Sequence, residues 1–119
     1  MANPLRRFAN ALPLTLGLVL LATAGVALAG EPATPLGKWM KPNIGTALAG
    51  QDFATLKTNL TLVAGKVPSA DYAKWADISS AGAAAAGKQD LAGVKASCKA
   101  CHDAYKEKYK KEFVARPFP

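Results

Sequence analysis

One histidine and two cysteines are all that this 119-residue chain contains of those residue types, and their scarcity narrows its chemistry. A zinc site built by one chain takes four nitrogen or sulfur ligands, and two thiolates with one imidazole leave it a ligand short. A thioredoxin-like pair of thiols would sit in a βαβ pattern, and no segment alternates apolar and polar side chains with the period of a strand. There is no internal repeat and no low-complexity tract beyond the alanine run at residues 83–86. Methionine is also rare: apart from Met1, only Met40 is present.

What is present begins with Arg6 and Arg7, followed by an uncharged stretch from Phe8 to Gly30 that closes on Ala27-Leu28-Ala29. Small residues at positions 27 and 29 suit signal peptidase, so residues 1–29 read as a secretory signal peptide. Phe8 directly after the arginine pair lacks the usual twin-arginine surroundings, which favours general Sec-type export to the periplasm. The competing reading is an uncleaved anchor, since the stretch is nearly long enough to span a bilayer. Pro13, Gly17 and Gly25 argue against it. Cleavage after Ala29 leaves 90 residues, a single domain with a modest core of its own.

Residues 30–36, with Glu31-Pro-Ala-Thr-Pro35, read as an extended leader, and residues 37–119 as helical. A first helix spans 37–49 and carries Trp39, Met40, Ile44 and Leu48, with Pro42 either starting it near Lys41 or kinking it. Asp52 caps a second, whose stripe Phe53, Leu56, Leu60 and Val63 marks one buried face. Ser69 is the candidate cap of a third, with Tyr72, Trp75 and Ile78, stopping near Gly87. Asp90 caps a fourth, in which Leu91, Val94, Cys98, Cys101, His102, Tyr105 and Tyr109 share a stripe. The expected fold class is all-α, a four-helix bundle.

Cys98-Lys-Ala-Cys101-His102 is the c-type haem attachment signature. Each thiol adds to a vinyl group while the adjacent imidazole binds iron, so the three side chains must face one way. On a helix they fall within an arc of roughly 100°. A structural disulfide in an oxidising compartment is the competing reading, and it leaves His102 without a role. One covalent haem c on the C-terminal helix is therefore expected, with its apolar surface supplying part of the core.

The attachment motif lies near the end of the chain, and Met40 lies 62 residues before His102. This order resembles the class II c-type cytochromes, the family of cytochrome c-prime and its low-spin, Met-ligated relatives. Cys98-Lys-Ala-Cys101-His102-Asp-Ala-Tyr105-Lys106 matches that family's motif, with Lys106 where Arg is commoner, and Trp39-Met40-Lys41-Pro42-Asn43 resembles the run that carries the sixth ligand. The resemblance covers residues 36–113. The chain is shorter than is usual for the family, and Pro42 interrupts the helix of the sixth ligand. The resemblance implies a four-helix bundle, His102 as proximal ligand, Met40 as distal ligand, a one-electron carrier with no substrate turnover, and a homodimer as one available state. If Met40 only fills the core, the distal face is open as in cytochrome c-prime, and the alternative is a five-coordinate protein that binds nitric oxide or carbon monoxide. The single His excludes bis-His ligation.

Trp39, Trp75 and Tyr105 are spaced as core residues and as haem-edge contacts, and Lys106 lies either near a propionate or in solvent. Without Arg6 and Arg7 the chain keeps thirteen basic and eight acidic residues. Five of the basic residues follow His102. Such a surface steers an acidic redox partner, or is simply a solvated helix face. An exported chain has no nucleic acid to meet, and would touch a membrane only through a retained signal.

Overall fold

The structure is a computed structural model and describes residues 33–119; the expected signal peptide and the first residues of the leader lie outside them. The described residues form four helices and no strand, so the all-α expectation holds at that level. The first, α1, runs without a break through Pro35–Met40, Lys41–Gly45 and Thr46–Ala49, the middle part being a π-helix. It is followed by α2 (Phe53–Ala64), α3 (Trp75–Gly87) and α4 (Leu91–Glu112).

Helix α1 starts two residues earlier than the composition of the leader suggests. Thr34 Oγ1 accepts the Gly37 N–H at 3.0 Å, and Pro35 occupies the first turn, where its missing N–H costs nothing. The extended leader therefore ends at Thr34. Pro42 does not start the helix, which is already under way from Pro35. The Lys41 N–H still bonds the Gly37 carbonyl four residues back, whereas the Thr46 N–H bonds the Lys41 carbonyl five residues back. The ladder slips by one residue in this interval, and Pro42 is the residue there with no N–H to contribute. A single π turn thus absorbs the proline, and the helix continues.

Asp52 and Asp90 cap α2 and α4 as their positions suggest. Asp52 accepts from the Thr55 N–H at 3.1 Å and hydroxyl at 2.6 Å, bonds that hold its carboxyl below the usual range, and Asp90 accepts from the Gly93 N–H at 3.0 Å. Ser69 does not cap α3, which opens only at Trp75. The Lys74 N–H is instead taken at 2.8 Å by the Tyr105 hydroxyl from α4. Tyr72 lies before the helix, fully buried, its hydroxyl donating to Glu112 at 2.8 Å. The start of α3 is thus held by a tertiary partner and not by a local capping side chain.

Two junctions use the same device. Gln51 and Gln89 have φ of 52° and 55°, and each is followed by the capping Asp. The Asp52 N–H reaches the Ala47 carbonyl while Gln51 reaches Leu48; Asp90 reaches Ala85 while Gln89 reaches Ala86. These are paired Schellman closures, with glutamine in the left-handed position that glycine usually takes.

Each helix packs on its neighbour in sequence, and no Cα of α1 comes within 8 Å of a Cα of α4. One core cluster (Ile44, Leu56, Leu60, Ala83, Ala86, Val94) draws on all four helices. A second is aromatic, with Tyr72, Trp75, Tyr105 and Tyr109 beside Leu36 and Val63. The tail folds back over it: Arg116 donates to the Pro68 carbonyl at 3.0 Å and the Phe118 ring meets Trp39 edge-on at 4.9 Å. A left-handed non-glycine residue costs about 1–2 kcal/mol, partly offset in glycine by greater unfolded-chain entropy. Gln89→Gly should therefore raise the unfolding free energy by about 0.5–1 kcal/mol in a denaturant titration.

Candidate functional site

The space between α1 and α4 is a groove of about 260 Å³. Its walls are Leu36, Gly37 and Met40 on one side and Cys101, His102 and Tyr105 on the other, with Trp75 of α3 as the floor. Lys106 stands at the rim, exposed. Below lies a smaller cavity of about 30 Å³, bordered by Ile44, Leu60, Ser97 and Cys98. Met40, Cys101 and His102 line both spaces and so form the partition between them.

These positions follow from local structure. All four residues after Cys98 in the stripe line the groove, but burial along it is uneven. Tyr105 and Tyr109 are buried, Cys98 and Cys101 half-buried, and His102 is exposed at the groove mouth rather than sunk in the core. Ser97, not part of the expected stripe, is buried, and its hydroxyl donates to the Ile78 carbonyl at 2.6 Å. That bond pins α4 to α3 one residue before Cys98. Its spacing from Val94 and Cys101, three and four residues, is the signal by which it could have been recognised.

Trp75 is fixed by its indole N–H, which donates to the Val63 carbonyl at 2.8 Å, and its ring stacks on Tyr109 at 5.8 Å. Tyr105 lies against both Trp75 and Tyr72. Trp39 stands apart from these residues. It is half-buried and turned to Phe118, and it is not among the residues that line the groove.

The electrostatics separate the candidate chemistries. Burial pushes both thiols up, Cys98 above its ordinary value and Cys101 to about 11, where the neighbouring Cys98 adds to the effect. Burial of this kind opposes the depressed thiol pKa on which a catalytic or redox-exchanging pair depends. Cys98 and Cys101 are free thiols in the structure. His102 is pushed down, first by desolvation in the groove and then by Lys106, both of which favour the neutral imidazole, the form that ligates a metal. Among the described residues no three His, Cys, Asp or Glu side chains converge as a metal cluster, so a site closed by carboxylates or thiolates alone has no candidate.

The donor set fits a haem. Two thiols one helical turn apart, an imidazole and a thioether from the other wall, set among apolar residues, are the donor types that would hold such a group if it bound. No helix among the described residues is long and apolar enough to cross a membrane.

The stretch of α4 that carries Cys98 and Cys101 depends on a close crossing. A Cβ at Gly82 would stand 2.6 Å from Ser97 Oγ and 3.2 Å from Leu60 Cδ1. Gly82→Ala should lower stability by about 1–3 kcal/mol through overpacking, against a gain of about 1 kcal/mol in helix propensity. A higher Tm for the variant would refute the close packing. Compared with known protein families, curated proteins and solved structures, the chain matches none.

Proposed function

We propose that the protein is an exported one-electron carrier of the class II c-type cytochrome kind, a four-helix bundle with one haem c bound covalently to Cys98 and Cys101. His102 is the proximal ligand and Met40 the distal one. The observation that carries this reading is the partition: Met40 from α1 and His102 with Cys101 from α4 border the same two spaces across a seam that the helix backbones leave open. Those are the residues that the attachment motif and the family resemblance single out.

When bound, the haem supplies an iron that cycles between two oxidation states one electron apart. The residues of the chain do the rest. Cys98 and Cys101 hold the group to α4 through thioether bonds, His102 presents a neutral imidazole, and the Met40 thioether, a soft ligand, favours the reduced state. Trp75, Tyr105 and Leu36 exclude water from the bed, and exclusion of water reduces the rearrangement that accompanies a change of charge. Tyr105, Lys106 and Trp75 border the cofactor edge, whereas Trp39 acts from behind Met40. The cationic residues after His102 favour an acidic redox partner, with association slowing as salt rises. In the competing reading the sixth position is open and the protein binds nitric oxide or carbon monoxide.

Three spectra decide the matter. The purified protein should keep its haem through acid-acetone extraction, and Cys98→Ser with Cys101→Ser should abolish that retention. The dithionite-reduced holoprotein should show the same visible spectrum before and after carbon monoxide, and Met40→Ala should shift its main band on adding the gas. A large shift in the unsubstituted protein would overturn the carrier in favour of gas binding, and haem-free protein would overturn both.

A further inference from the structure

We infer that Asn43 and Asn59 are positioning residues that hold Met40 against the haem iron, an inference that rests on the ligation proposed above. The problem they solve is one of reach. With no Cα of α1 within 8 Å of a Cα of α4, backbone packing between these helices does not set where the Met40 sulfur lies. Its position follows from how α1 is held from behind, on α2.

The π turn begins at Lys41, the residue after Met40. A π turn is wider than an α turn, so carbonyls at its edge lose ideal alignment with the ladder, and its register can slip unless other groups fix it. Two carboxamides do so here. Asn43 Nδ2 donates at 2.9 Å to the carbonyl of Trp39, the peptide that leads into Met40. Asn59 Nδ2, from α2, donates at 2.8 Å to the carbonyl of Asn43 itself. The chain of contacts therefore runs from α2 through Asn43 to the peptide group of Met40. Both carboxamides are half-buried, which strengthens their bonds relative to water. Met40 is placed by this relay at the partition, with Ile44 of the same turn anchored in the core.

A purely structural pair would affect stability alone. A positioning pair must also alter the iron. The full-length ferric and ferrous holoprotein is compared with Asn59→Leu, which keeps the bulk and removes the donor, with Asn43→Ser, and with Asn59→Gln, which retains a carboxamide. Thr58→Ala on the exposed face of α2 is the control. Asn59→Leu should weaken the long-wavelength sulfur-to-iron charge-transfer band, lower the reduction potential, and raise carbon monoxide affinity about tenfold, the effect expected for losing one hydrogen bond to a partly buried carbonyl. Asn43→Ser should move the same three readouts in the same direction. Asn59→Gln should restore them in part, and Thr58→Ala should leave them unchanged.

Met40→Ala separates the two proposals. If it changes the band and the carbon monoxide response while Asn59→Leu and Asn43→Ser do not, the positioning role is overturned and the ligation stands. If Met40→Ala itself changes neither, Met40 is not the ligand and both fall. Should Asn59→Leu fail to accumulate as holoprotein, the Asn43→Ser and Asn59→Gln spectra carry the same test.

Discussion

The hydrogen bond from the Trp75 indole to the Val63 carbonyl is the constraint on which the site rests. Trp75 is almost completely buried at the start of α3, and Val63 lies at the end of α2, so the bond joins these helices where the chain between them is least regular. An indole N–H left without a partner in such a place costs about 1–3 kcal/mol, and the bond fixes the ring in the one orientation that avoids this cost. With Trp75 fixed, Tyr109 can stack on it and Tyr105 can lie beside it, and these are the residues that bring α4 onto the floor. The separation of α1 from α4 follows from what lies between them. A filled aromatic floor keeps the two helices apart above it, and the groove is the space that remains.

Polar atoms within this aromatic cluster are satisfied across long sequence separations. Tyr105 takes the Lys74 N–H, Tyr72 donates to Glu112, and among the described residues no buried side-chain nitrogen or oxygen lacks a partner. Burial and Glu112 together hold the Tyr72 hydroxyl far above its ordinary value, so it stays a donor throughout the neutral range. The surface ion pairs contribute much less. Lys99 with Asp103 and Lys110 with Glu107 lie on solvent-facing turns of α4, where a pair is worth about 0–1 kcal/mol. The lower end of the molecule is therefore ordered by buried aromatic groups, and charge sets its solubility and encounters.

Local signals were legible wherever the partner was local. Asp52 and Asp90 lie within three residues of the N–H groups they cap, and the Leu56, Leu60, Val63 stripe has its period written into the chain. That Cys98, Cys101 and His102 share one helix was legible for the same reason, since their spacing is local. Ser69 misled because the Tyr72 N–H bonds its carbonyl in a turn and the helix opens only at Trp75, where the Lys74 N–H finds Tyr105, thirty-one residues further on. Pro42 misled in another way. Propensity treats a proline within a helix as a break, and a slip of the ladder by one residue has no local sequence signature. Asn43 and Asn59 make the point most clearly: each is an ordinary polar residue on a helix, and only the fold brings one amide to the other's carbonyl. Trp39 neighbours Met40 in sequence, but adjacent residues on a helix point about 100° apart. Its ring turns to Phe118 instead.

That divergence between neighbours explains how one short helix can serve two tasks. Trp39 closes the tail onto the back of α1 while Met40 faces α4, and the π turn immediately after them carries the chain past Pro42 to return Ile44 and Ala47 to the core. A regular helix would have lost a hydrogen bond at the proline and bent there. The wider turn keeps the backbone continuous, and the two carboxamides bond the carbonyls on either side of Met40. A residue that must hold a fixed position while reaching across a gap needs such rigidity in its own backbone, because packing on the far side does not supply it. The widened turn thus accommodates the proline, and the two carboxamide bonds, more than the helical ladder, fix the peptide groups about Met40.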